Sequence, residues 1–246
     1  NKQESRAGRE IAHRMRLAQQ DTERVWGWGF PAGKLRAARR AGLIAEHAGL
    51  NPKSQVLEIG CGTGLFTEMF AKTGARIVAV DISGQLLQKA KQRDLPPGQV
   101  RFVEKRFEEC AIEGPFDAVI GSSVLHHLDI LPSCLKILSL LKPGGSLVFA
   151  EPNMLNPQVF AERKFRKWFP YISADETAFI RWKLKMVLLE AGFERIRIIP
   201  FDWLHPATPK KLAPLVQKIG RVIEKIPVLR EAAGSLLVAA SRPPPA

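Results

Sequence analysis

Short apolar runs alternating with helical patterns constrain this chain more than any other feature. Residues 56–59, 77–80, 100–103, 116–120 and 146–150 are each four or five residues long and mostly Val, Ile, Leu, Ala or Phe. Runs without polar alternation suit strands covered on both faces, the habit of a parallel sheet. Helical spacing marks residues 65–72, 85–93 and 132–141 between them, with breakers in the "LPPG" of 95–98 and the "KPGG" of 142–145. Strand alternating with helix implies right-handed crossovers and a doubly wound α/β sheet. Two further strands are expected at 195–201 ("RIRIIPF") and 235–241 ("SLLVAAS"). A long helix is expected before the first of these, opening at "SADE", where Ser173 and Glu176 have capping-box spacing, and closing at Gly192.

At 246 residues there is room for one large α/β domain, or one domain with a modest cap. Cys61, Cys110 and Cys134 are odd in number and far apart, without a CxxC or a histidine at ligand spacing, so neither a disulfide framework nor a metal site is expected. The opening residues lack a leader pattern, and no apolar run approaches the ~18 residues of a membrane span. The expected location is therefore cytoplasmic. The net charge of +13 is uneven. Ten Lys and Arg against five Asp and Glu leave +5 over residues 1–50, eleven against ten leave +1 over 51–150, and sixteen against nine leave +7 over 151–246. A nearly neutral centre with basic flanks favours an anionic partner such as nucleic acid, an acidic lipid surface or a phosphorylated substrate, unless the chain is simply basic.

The stretch "VLEIGCGTGLFTEMF" at 56–70 sets Gly60, Gly62 and Gly64 between the first strand and the first helix. In an open parallel sheet that turn is the usual cradle for a ligand, because bare amides can approach it closely. Asp81 closes the second strand, 21 residues after Gly60, where a carboxylate can accept from both hydroxyls of a ribose. Two ligands suit this pattern, a dinucleotide such as NAD or an adenosine-containing sulfonium. A dinucleotide fingerprint wants a third glycine where Leu65 stands, and Glu58 within the first strand favours a cationic ligand over a pyrophosphate. Both features favour the sulfonium.

"VLEIGCGTG", "VAVDIS", "FDAVIGSSVLHHL" and "LLKPGG", in that order and spacing over roughly residues 50–150, resemble the class I S-adenosylmethionine-dependent methyltransferases, in particular the small-molecule group called type 11. The resemblance implies a Rossmann-like, doubly wound, seven-stranded sheet, mostly parallel with an antiparallel C-terminal strand, plus helical cap elements. It implies a helical lid segment over 1–50 and a methyltransferase domain over 51–246, with cap insertions near 154–175 and 203–234. Carried over residue by residue, Gly60, Cys61, Gly62 and Gly64 line the methionine part of S-adenosyl-L-methionine, and Glu58 supports its ammonium. Asp81 holds the ribose, Ile82 lies against the adenine, and Ser122 sits near the methionine moiety. The family usually offers an Asp-Ala pair to the adenine; here Arg106 and Phe107 stand there, which leaves the Phe107 amide for a ring nitrogen.

Methyl transfer is an in-line displacement, so alignment in a dry pocket can supply much of the catalysis. A hydroxyl or ammonium acceptor must also lose a proton, and His126 and His127, after the fourth strand, are the candidate bases. Either could instead cap or pack. Glu151 and Asn153 could orient a polar acceptor or satisfy a turn, and Asp202 and His205 have a weaker claim. Trp26, Trp28 and Phe30 beside basic residues suggest an aromatic lid or a helix packed on the sheet edge. Leu212, Leu215, Val216, Ile219, Val222, Ile223 and Ile226 recur at three- and four-residue steps within 209–230, with lysines and arginines largely off the stripe. Such a helix is expected to pack as a cap on its own protein; contact with an anionic membrane, a peripheral location, is the other reading. The function expected is methyl transfer to a small-molecule or lipid-like acceptor. The alternatives are an RNA methyltransferase, less favoured because no RNA-binding module is recognisable, and a non-catalytic module that keeps the fold.

Overall fold

The computed structural model describes residues 19–169 and 177–245. Its seven strands are β1 (Gln55–Ile59), β2 (Arg76–Asp81), β3 (Val100–Glu104), β4 (Phe116–Ser122), β5 (Leu141–Pro152), β6 (Glu194–Phe201) and β7 (Ser235–Ser241). They lie in one sheet in the order β3-β2-β1-β4-β5-β7-β6. The first five run parallel, whereas β7 is antiparallel to both β5 and β6. The chain order reverses at β1, whose neighbours are β2 and β4, so the sheet opens a crevice beyond the carboxyl end of β1.

Both faces of the central strands are buried, as their continuous apolar character requires. Leu57, Ile59, Val119, Leu147 and Phe149 face a core closed by α5 (Ile130–Leu140) and α7 (Arg181–Glu190). Val56, Ile120, Val148 and Ala150 face the other way, against α2 (Pro31–Ala48) and α3 (Leu65–Ala71). Alternate residues of one strand thus serve two cores. Gly121 permits this at the centre: a Cβ there would fall 2.5 Å from the Phe149 ring. The remaining helices are α1 (Thr22–Val25), α4 (Gly84–Lys91), α6 (Pro157–Lys164), α8 (Ala213–Ile223) and α9 (Pro227–Arg230).

Three expectations change. The helix before β6 starts at Arg181, because residues 177–180 are not helical and Phe179 bridges to Asn153; "SADE", with Ser173 and Glu176, lies outside the described residues. "KPGG" does not end an element but sits within β5, where the register against β4 shifts between Phe116 and Ala118. The stripe over 209–230 is not buried as a cap. α8 packs through Ala213 and Gly220, the latter against Trp203, and leaves Leu212, Leu215, Ile219 and Val222 half exposed or more. Among the described residues no helix is long and apolar enough to cross a membrane. Cys61, Cys110 and Cys134 are free and buried.

Phe149 is fully buried between β4 and the helices above it. Phe149→Ala should lower unfolding free energy by about 3–5 kcal/mol through lost burial and a cavity, read as a shifted urea midpoint at unchanged slope.

Candidate functional site

The turn after β1 folds back under steric compulsion. Gly60 and Cys61 both donate their amides to the Val80 carbonyl, at 2.8 and 3.2 Å. Gly60 has φ +69°, and a Cβ on it would lie 2.4 Å from Val124 Cγ2. Gly62, at φ +52°, has the Trp26 ring 3.3 Å from where its Cβ would be. Any side chain at Gly60 would push the β4 loop away. Asp81, buried at the end of β2, accepts from the Gly62 amide at 2.8 Å and the Ser83 amide at 2.9 Å, one on each carboxylate oxygen. It therefore joins the glycine turn to the start of α4. Ile82 is half-buried beside it.

Glu58 is only 2% exposed, and its Oε2 has no hydrogen-bond partner among the described residues. Burial, opposed by the Thr67 hydroxyl and aided by the nearby Asp81 charge, pushes its carboxyl up to about 8. A buried acceptor without a donor at the crevice is what a ligand ammonium would satisfy. Ser122 Oγ accepts from Arg40 at 3.2 Å. The residues after β3 divide: Arg106 is drawn outward to Glu109 at 2.8 Å, whereas the Phe107 side chain enters the core beneath Lys136.

His126 does not stand on an open rim. It is 4% exposed, with Nδ1 2.6 Å from Glu151 Oε2. The other oxygen of Glu151 accepts the amides of Val124 and Leu125, each at 3.0 Å. Burial alone would raise the Glu151 carboxyl, but the His126 charge, its hydrogen bond and the two amides together hold it below the ordinary range. Glu151 thus fastens the loop that carries both histidines. His127 is half-buried, its ring 4.2 Å from that of His126. Asn153 faces inward, donating to the carbonyls of Glu231 and Ala233. Asp202 pairs with Arg36 at 2.8 Å, and His205 accepts the Ala207 amide.

Beside the glycine turn lies a cavity of about 410 Å³, lined among others by Trp26, Trp28, Phe30, Arg40, Ser123 and Trp203. Trp26 belongs to both places, since it lies over Gly62 and walls the cavity. The N-terminal segment is held there by Glu23, which pairs with Arg93 and accepts from Thr63 Oγ1 at 3.0 Å. The structure therefore sets a buried carboxylate pair and an amide turn next to an aromatic, cationic chamber. Arg40 and the fastening role of Glu151 escaped the sequence reading: Arg40 is one of several arginines in a helix, and its burial follows only from the packing of α2 on β4 and β5.

Residues 57–149 match the family model described as "Methyltransferase domain". A ubiquinone biosynthesis O-methyltransferase of Xanthomonas axonopodis pv. citri is 36% identical over 146 residues, covering 56% of this chain and 59% of the relative. A malonyl-[acyl-carrier protein] O-methyltransferase of Magnetococcus marinus is 36% identical over 152 residues, covering 55% and 53%. The chain thus spans little more than half the length of these curated relatives. Among solved structures, the N-methyltransferase NodS of Bradyrhizobium japonicum, in complex with S-adenosyl-L-homocysteine, has a TM-score of 0.65 at 18% identity, covering 95% of this chain and 98% of that one. At that identity the likeness is one of fold.

A carboxyl held below its ordinary pKa stabilises the fold above that pKa and loses the contribution as pH falls through the folded value. Glu151→Gln should therefore cost about 3–5 kcal/mol at neutral pH, the scale of a broken buried pair. The gap from the native chain should close below the usual carboxylate range, as followed by urea unfolding across an acid pH series.

Proposed function

We propose, from the methyltransferase domain that residues 57–149 carry in a class I fold, that this chain transfers a methyl group from S-adenosyl-L-methionine to a small-molecule or lipid-like acceptor. The observation that carries the reading is the unpartnered Oε2 of Glu58 beside a glycine turn where a Cβ has no room. When bound, the cofactor supplies an electrophilic methyl group on a sulfonium. Glu58 would receive its ammonium, Asp81 its ribose, the amides of Gly60, Cys61, Gly62 and Gly64 its methionine part, and Ile82 its adenine. Arg106 offers the adenine only backbone, because its guanidinium is engaged with acidic neighbours. Ser122, at the end of β4, borders the methionine end.

The residues of the chain align the acceptor and exclude water. Trp26 and Trp28 close the chamber as a lid over the crevice, with Trp28 packed edge-on against Phe66 at 5.4 Å. Of the two histidines, His127 is the more exposed candidate for taking a proton from the acceptor, whereas His126 is committed to Glu151 and positions the loop. The relatives named above are, by their names, O-methyltransferases of ubiquinone biosynthesis and of malonyl-[acyl-carrier protein], and a small-molecule or lipid-like acceptor accords with the first. The outward face of α8 supports a position at an anionic membrane. Leu215, Ile219 and Val222 are 50–57% exposed, and Lys211, Lys218, Arg221 and Lys225 are exposed around them.

Calorimetric titration with S-adenosyl-L-homocysteine and with NAD tests the cofactor reading, with binding of the first alone expected. Asp81→Ala should weaken that binding at least about tenfold, or ~1.4 kcal/mol; unchanged affinity would remove Asp81 from the site. An ammonium ligand binds best to ionised Glu58, so affinity should rise with pH toward about 8 and the rise should vanish in Glu58→Gln. For the membrane, sedimentation with phosphatidylglycerol vesicles should capture the native chain and lose it in Ile219→Asp, with phosphatidylcholine vesicles capturing neither; equal binding of both proteins would refute the α8 contact.

A further inference from the structure

Arg40 is 3% exposed, yet it forms no salt bridge among the described residues. Its two terminal nitrogens donate only to neutral oxygens: Ser122 Oγ at 3.2 Å, Ser123 Oγ at 2.9 Å, the Ala150 carbonyl at 3.1 Å and Ser235 Oγ at 2.5 Å. Its Nε has no acceptor. Burial, and to a lesser degree the charge of Arg36, lowers its pKa to about 10, so the guanidinium remains charged at neutral pH. A buried cation is costly. The Asp202 and Glu151 charges offset part of that cost through space, but among the described residues no anion contacts the guanidinium, and a ligand anion in contact would relieve the remainder. Aromatic faces contribute part of the compensation, because the guanidinium lies 5.3 Å from the Trp28 ring centre and 5.7 Å from that of Phe201.

The cavity that Arg40 lines has a second orphan of the same kind. Trp203 Nε1 is buried without an acceptor. Both unsatisfied groups on this wall are therefore donors. The acidic groups on the same wall are occupied: Asp202 by Arg36 at 2.8 Å, and Glu162 by Gln158 at 2.7 Å. Glu58, Gly60, Gly62 and Asp81 do not line the chamber, which adjoins the glycine turn through Trp26.

We propose that the acceptor carries a carboxylate, and that Arg40, with Trp203, binds it in this chamber. Arg40 Nε has no acceptor and Nη2 gives only one of its two hydrogens, to Ser235, so one edge of the guanidinium keeps the donors that a planar carboxylate takes side-on, with Trp203 Nε1 a third on the same wall. The Trp26, Trp28 and Phe30 rings accommodate the apolar body of the same molecule. The inference rests on the methyltransferase reading for the word acceptor, but the anion site stands on its own geometry. The cofactor's own carboxylate is the competing source of the same chemistry.

Benzoate and benzamide share a shape and differ in charge, and Trp26, Trp28 and Trp203 report on the chamber by fluorescence. Benzoate should quench saturably and bind at least about tenfold more tightly than benzamide, with and without S-adenosyl-L-homocysteine. Arg40→Met should abolish that preference while changing affinity for S-adenosyl-L-homocysteine by less than about twofold. Trp203→Phe, which keeps the packing and removes one donor, should weaken benzoate alone and serves should Arg40→Met fail to fold. Equal affinity for the two probes would overturn the proposal, as would a tighter fit of phenyl phosphate than of benzoate. Loss of cofactor affinity in Arg40→Met with the benzoate preference intact would assign Arg40 to the cofactor instead. Failure of the native chain to bind S-adenosyl-L-homocysteine while preferring benzoate would sink the methyltransferase reading and leave the anion site standing.

Discussion

The close approach of Gly60 to Val124 is the contact on which the carboxyl edge of the sheet depends. Because a Cβ at Gly60 would sit 2.4 Å from Val124 Cγ2, the turn after β1 and the loop after β4 can share the crevice only with bare backbone at that point. The loop after β4 is then held from behind, where Glu151 of the neighbouring strand accepts the amides of Val124 and Leu125 and grips His126. Asp81 does the equivalent on the other side, joining Gly62 to Ser83. Two buried carboxylates, one on each flank of β1, thus shape the crevice through backbone donors before any ligand is considered.

The two carboxylates nearest the glycine turn differ in how they are satisfied, and the difference has chemical content. Asp81 has amide donors on both oxygens, whereas Glu58 leaves one oxygen without a partner. A group already solvated by the fold can hold a neutral hydroxyl; a carboxyl raised to about 8 by burial is mainly protonated at neutral pH and ionises when a cation comes to rest beside it. The chamber next door has the opposite sign, with a buried guanidinium and an indole donor both short of acceptors. Opposed unsatisfied groups in adjoining compartments suit a site that brings a cationic methyl donor and an electron-rich acceptor together.

Much of this was legible in the sequence. The continuous apolar character of 146–150 announced a strand covered on both faces, and Leu147 and Val148 do face opposite cores. The spacing of Gly60, Gly62 and Gly64 marked the turn after the first strand, and all three have positive φ there. What misled was periodicity read without a partner. The 209–230 stripe has the spacing of a packed cap, but hydrophobic spacing does not say which side meets protein. Here the small residues Ala213 and Gly220 allow the closest approach, so α8 turns its larger side chains outward. The helix before β6 is likewise shorter than its pattern, since Phe179 forms a bridge with Asn153 and the helix begins only at Arg181.

The sequence by itself determined the alternation of strand and helix and the bare-backbone turn after the first strand, because these depend on local backbone sterics and on periodicity along one segment. Only the tertiary structure decided which charges are buried and what they meet. Arg40 lies 110 residues from Ala150 and 195 from Ser235, both of which it bonds, and Glu151 reaches back across 25 to His126. Contacts between such distant positions arise when helix and strand pack together, and the energetics of a buried charge follow from that packing.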